Sequence, residues 1–257
     1  MDNRQEKIKR IGLLFVGFEE ANLPAIHYLL LHLNTLQTNF EFEILPVDDK
    51  DRFIRLLSTK NPLDREETRS QVKPFIENHE GTLTNWMKSL VLEDATLPNN
   101  YILITLAHFS DGYYTLRQDR LSILAMGDWK KTMAPPSIVE FILTLVIRES
   151  VSAISPSLRG SIHYGTKGCL FDFTPYLEYT RYKILNAFIC THCRNLLIKD
   201  GLPDLANEIV AILSKEWVGK TSDLSSPAGI SSKLGYDLFL TKGLNASNWE
   251  KFSYIIK

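Results

Sequence analysis

The sequence predicts an α/β fold, with a mixed sheet and flanking helices. Two observations carry that expectation. Residues 10–18, RIGLLFVGF, form a short apolar run that precedes a helix-periodic stretch and a second strand-like run at 40–47, the order of a β-α-β unit. Further along, APPSIVEFILTLVIRESVSAI has the apolar periodicity of a long, mostly buried helix over 137–154.

The elements follow in order. In residues 10–18 the apolar side chains are nearly continuous, as in a strand buried on both faces. Leu23, Ile26, Leu30, Leu33 and Leu36 then recur at helical spacing. FEFEILPV at 40–47 alternates apolar and acidic residues before Pro46, so it reads as a second strand, parallel to the first through a right-handed crossover. Residues 48–78 are charged and breaker-rich. They predict a short helix near 53–57 and then an exposed loop. TLTNWMKSLVLED at 82–94 has an amphipathic pattern, with Thr82 or Thr84 as the cap. NYILITLAHF at 100–109 is strand-like. GYYTLRQDRLSILAMGDW predicts two further strands around a turn at 117–120. Pro135 and Pro136 suit the entrance of the long helix. Near the C-terminal end, a helix starts at Pro203 and a Ser/Gly/Pro-rich loop covers 221–233. A last strand at 234–243 and a last helix at 245–256 complete the reading. The expected division is an α/β domain over 1–155 and a helical C-terminal portion, 156–257, packed on it.

Composition bounds the function. Apolar residues make up 44% and aromatics 11%, enough to bury a core, while the net charge of −1 gives no global attraction to nucleic acid or an anionic membrane. MDNRQEKIKR at the start is too polar for a signal peptide. The most apolar stretch, 138–147, is broken by Glu140 and too short to span a bilayer. Three cysteines make no disulfide framework, so a reduced, cytoplasmic setting is expected.

Those cysteines all fall in one window, written His163-x5-Cys169-x20-Cys190-x2-Cys193. A C-x2-C pair forms a knuckle offering two thiolates to one ion, Cys169 supplies a third sulfur, and His163 is the expected fourth ligand. His192 lies inside the knuckle, where closure on the same ion is awkward. Asp172 is the oxygen alternative. Three thiolates with an imidazole suit zinc better than a hard cation. Ordinary buried thiols and a redox dithiol at a helix N-terminus remain open alternatives. With four candidate ligands the zinc reads as structural, a staple on the C-terminal portion, although three ligands and a water would make an open site. Rings crowd this window, and Phe171, Phe173, Tyr176, Tyr179, Tyr182 and Phe188 are expected to pack as a small core around the metal, in preference to forming a partner surface.

Several catalytic patterns fail on particular residues. A zinc deaminase needs H-x-E and P-C-x-x-C. Here Tyr164 and Gly165 follow His163, and Ile189 precedes Cys190. GKTSD at 219–223 ends like a phosphate-binding loop but lacks the earlier glycine, and VGFEEANLP has a single glycine, so nucleotide binding has no support. AHFSDGYY, with His108, Ser110 and Asp111, reads as a polar turn. Glu140 and Glu149 face opposite sides of the long helix, and Glu149, following Arg148, is expected on a solvated face.

The order of these features resembles that of the archaemetzincins, a metzincin-like group of zinc proteins. IGLLFVGF, a helix, a strand ending in ILPV, YILITLAHFSDGYY, RLSILAMG, a long helix and a terminal cysteine cluster follow one another in the same layout. The resemblance implies that Cys169, Cys190 and Cys193 hold a non-catalytic zinc. The family's signature, H-E-x-x-H-x-x-G-x-x-H on the long helix, is missing, because the helix here contains no histidine. The resulting expectation is a non-enzymatic zinc protein, a binding or regulatory module on a degenerate metallopeptidase-like scaffold, with another protein as partner. A zinc-dependent hydrolase with an open Cys/His site is the alternative.

Overall fold

A computed structural model describes residues 8–18, 23–92, 96–161, 163 and 166–234. The strand and helix expected beyond residue 234 lie outside this set.

Five strands form one mixed sheet in the order β2-β1-β3-β5-β4. They are β1 (Lys9–Val16), β2 (Phe40–Ile44), β3 (Asn100–Thr105), β4 (Thr115–Gln118) and β5 (Leu121–Ala125). β2, β1, β3 and β5 run parallel, and β4 returns antiparallel to β5. Asp119 has a φ of 51° in the turn between them, a left-handed conformation that aspartate tolerates. The register sets Leu13 beside both Ile44 and Ile102, and Leu103 beside Ile123.

Side chains alternate across this sheet, as a period of two requires. On β1, Ile11, Leu13 and Phe15 enter one core, while Leu14 and Val16 enter another. The first core is closed by α1 (Leu23–His32) and α4 (Ile138–Ile154). It also takes in α6 (Leu177–Asn186), α7 (Thr191–Lys199) and α8 (Leu205–Ser214). The second is closed by α2 (Arg52–Leu57) and α3 (Arg65–Ser89). The short α5 (Pro156–Arg159) follows α4, and α9 (Pro227–Leu234) packs on α1.

Two loop expectations are overturned. Residues 65–78 are the first half of α3, a single helix of 25 residues that also absorbs the amphipathic stretch at 82–89. Its cap is Asp64, whose carboxylate accepts from the Glu67 N–H, and neither Thr82 nor Thr84 caps a helix. Pro74 sits inside it, yet Thr68, Val72, Phe75, Ile76, His79 and Leu83 line one buried face. That burial outweighs the one hydrogen bond proline removes. Residues 221–226 of the Ser/Gly/Pro-rich stretch form turns as expected, but its second part, from Pro227, likewise folds into α9. There a Cβ on Gly229 would lie 1.8 Å from the Asp223 carbonyl oxygen, so only glycine lets the backbones approach.

α4 begins with a capping box. Ser137 accepts from the Glu140 N–H, and the Glu140 carboxylate accepts from the Ser137 N–H at 2.7 Å. Pro135 and Pro136 therefore precede the cap and stand outside the first turn.

Glu149 is a further correction. It is not solvated but 1% exposed. The guanidinium of Arg117 on β4 forks onto its carboxylate, also reaching Ser152 Oγ at 3.1 Å, and Arg148 donates to the same group. Burial would raise the carboxyl pKa, but the two arginines hold it down to about 2.

Candidate metal centre

The chain beyond α5 is shaped by two isolated bridges, His163 beside Asp172 and Cys169 beside Phe188. The second bridge sets Cys169 against the entry to α7. There Cys190 occupies the N-cap position and Cys193 the first turn, so both sulfurs emerge from the same helix end.

Four ligand-type atoms converge. Cys193 Sγ lies 3.2 Å and Cys190 Sγ 3.5 Å from His163 Nε2, and the Sγ atoms of Cys169 and Cys193 are 4.0 Å apart. One atom from each of His163, Cys169, Cys190 and Cys193 falls within 4.8 Å of the others, so the cluster could hold a metal ion. A tetrahedral zinc site with ordinary bond lengths has S···S edges of about 3.8 Å and S···N edges of about 3.6 Å. The separations are close to that figure. Cys169 and Cys193 are fully buried, His163 is 6% exposed, and Cys190 is partly exposed.

Asp172 is fully buried and faces the back of the histidine. Its Oδ1 is 2.9 Å from His163 Nδ1, and its Oδ2 accepts backbone N–H groups from Lys167 and Cys169. An aspartate can only accept here, so Nδ1 carries the proton and the Nε2 lone pair points at the sulfurs. Asp172 thus orients a donor, as a metal site requires, and is not one of the converging four. His192 is also outside the cluster. It is exposed, and its Nε2 lies 3.3 Å from Ser161 Oγ.

The sulfurs interact strongly. A thiol–thiolate hydrogen bond with Cys193 lowers Cys169 to about 6, helped by the Cys190 N–H at 3.4 Å, and the same contact pushes Cys193 up. Crowded thiols of this kind are relieved when a cation takes the place of their protons.

Sequence reasoning missed a neighbour of the site. Lys183 on α6 is fully buried, and its Nζ donates to Thr174 Oγ1 (2.7 Å), the Asp172 carbonyl (3.1 Å) and Tyr114 Oη (3.1 Å). Burial brings its pKa down to about 8. Burial would raise Tyr114, but the Lys183 charge brings it to about 8 as well. The one trace of this in the sequence is a lysine on the buried stripe of α6, beside Leu177, Thr180 and Ile184.

The expectation of an aromatic core around the metal holds only for Phe171. Phe173, Tyr176, Tyr179, Tyr182 and Phe188 are 43–56% exposed. Leu170, Leu177, Ile184 and Ile189 fill the inward positions instead, leaving the rings on the outer side. Tyr113 and Phe173 lie 6.3 Å apart, and Tyr176 and Tyr179 5.8 Å apart.

No protein-family model matches this chain, and no curated protein matches it. Among solved structures, an archaemetzincin from Methanopyrus kandleri is similar over 77% of this chain and 98% of its own, at 10% identity and a TM-score of 0.44. This is a distant likeness of layout, and the metal centre stands on its own geometry.

Proposed function

We propose that this chain is a zinc-containing binding module whose zinc is structural and held by His163, Cys169, Cys190 and Cys193. The observation that carries the reading is the convergence of four buried or half-buried donors, one of them oriented by Asp172. Three sulfurs and an imidazole nitrogen favour zinc over hard cations. A closed set of four leaves no position for a reacting water, which distinguishes structural from catalytic zinc.

A non-enzymatic role is part of this proposal. Among the described residues, this cluster is the one group of His, Cys, Asp and Glu side chains gathered closely enough for a metal ion. The buried carboxylate of the long helix, Glu149, is committed to two arginines. A protein partner is also proposed. Phe173, Tyr176, Tyr179 and Tyr182 are exposed, and aromatic residues are enriched at protein interfaces. No helix among the described residues is long and apolar enough to cross a membrane.

The test is the composition and coordination of the purified protein. About one zinc per chain with four protein ligands supports the reading. Three protein ligands with a bound water would instead favour a zinc-dependent hydrolase.

A further inference from the structure

A cavity of about 380 Å³ opens at the carboxyl ends of the parallel strands. Gly17 follows β1, Leu106 and His108 follow β3, and Gly127 follows β5, and all four line it. None of its lining residues belongs to the metal centre.

The topology of the sheet places a crevice there. From β1 the chain crosses one face through α1 to β2, and from β2 it crosses the other face through α2 and α3 to β3. β2 and β3 flank β1 on opposite sides, so the strand order reverses between β1 and β3. The segment leaving β1 leads to α1 on one face. The segment leaving β3 sets Ala107 and Phe109 in the core of the other. Where two such segments part at the carboxyl edge of an open α/β sheet, ligands bind.

The lining defines the chemistry. Leu57, Leu106, Met126 and Ile138 form an apolar wall. Ser58, Lys60 and His108 form a polar one. Among the described residues the lining holds no aspartate or glutamate, and no carboxylate pairs with Lys60. His108 is half-buried, and its imidazole offers an N–H donor in either tautomer. Ile138 is the first residue of α4, so the positive end of a 17-residue helix dipole also meets the space. Glu140 in that first turn does not cancel it, being paired with Lys215 at 2.8 Å. α2 ends beside the cavity as well, but at six residues its opposing dipole is the weaker.

We propose that this cavity binds a small monocarboxylate with an apolar body. The carboxylate faces Lys60 and His108, and the body lies against Leu57, Leu106, Met126 and Ile138. One ammonium matches one negative charge. A phosphate monoester carries nearly two at pH 7, and crevices of this kind hold phosphate on a glycine-rich loop. Here the lining has no arginine, and VGFEEANLP has a single glycine. A dry apolar cavity of about 150 Å³ accepts benzene, so the larger volume here admits a body of two fused rings.

The test is calorimetric titration of the full chain with 1-naphthylacetate. The comparison ligands are 1-naphthylmethylamine, acetate and 1-naphthyl phosphate. The expected result is saturable binding of 1-naphthylacetate, at least about tenfold tighter than the amine or acetate and tighter than the phosphate. Lys60→Gln, at an exposed position, should weaken it about fivefold, and Lys60→Arg should retain it. Ser58→Trp, at an exposed position on the cavity wall, should abolish it. No saturable binding at millimolar concentration overturns the proposal. So does equal binding of the amine, tighter binding of the phosphate, or full binding by Lys60→Gln.

Discussion

Oδ1 of Asp172 lies 2.9 Å from Nδ1 of His163, and both side chains are shielded from solvent. This contact fixes the imidazole tautomer and aims Nε2 at two cysteine sulfurs. The other oxygen of Asp172 accepts two backbone N–H groups, so the carboxylate also sets the loop that carries Cys169.

Asp172→Ala should therefore weaken zinc binding without removing a ligand. The expected loss is about 10–100-fold in affinity, the range for partners that orient metal-bound histidines. Competition with a chromophoric chelator measures it. Unchanged affinity would mean that Asp172 serves only the loop.

Cys190→Ser should lose metal and fold stability together, because the binding free energy of a structural zinc is folding free energy. In the wild-type protein a chelator should lower the melting temperature. In the variant the temperature should start lower and no longer respond to chelator. Unchanged melting temperature and zinc content would sink the structural-site reading.

The Glu149 cluster sets an acid limit. Arg117 and Arg148 hold this carboxyl at about 2, below its ordinary 4.5. A carboxylate with a depressed folded pKa contributes stability that is full above the unfolded pKa. That contribution falls as pH drops from about 4.5 and is gone below about 2. Glu149→Gln should flatten the stability profile between those values in denaturant titrations. Glu149→Ala should cost about 3–5 kcal/mol at neutral pH, because it leaves buried arginine charge unpaired. A variant with the wild-type acid profile would contradict the assignment.

Lys183 ties α6 to the metal loop and to the residue before β4. Lys183→Met fills similar volume but removes the donor to the Asp172 carbonyl and to Tyr114. Tyr114 and Thr174 still bond each other at 2.9 Å, so a loss of about 2–4 kcal/mol is expected from chemical denaturation. A neutral substitution would show that the buried ammonium contributes nothing net.

Local patterns were the legible part of this protein. The strands of the parallel core, α1 and the capped helix α4 could be read from apolar runs and spacing, because each is decided by neighbours in sequence. The cysteine window stood out because C-x2-C is a local pattern and no cysteine lies elsewhere in the chain, although its members converge from up to 30 residues apart. α3 was obscured by Pro74 and its charged first turns. Its buried face uses Thr68 and His79 along with Val72, Phe75, Ile76 and Leu83, a stripe that apolar counting undervalues. Glu149 was misread because its main partner, Arg117, lies on another element 32 residues earlier. The part played by Asp172 could not be separated from that of a ligand until its distance to Nδ1 was known. The exposed rings near the His/Cys cluster lie on the outer side because aliphatic side chains occupy the inner positions, a choice that composition does not reveal.

The central claim is tested most directly by X-ray absorption at the zinc edge on purified protein of measured metal content. The account predicts about one zinc per chain, with three sulfurs at about 2.3 Å and one nitrogen at about 2.0–2.1 Å. Absence of stoichiometric zinc, or a first shell dominated by oxygen and nitrogen with a bound water, would contradict it.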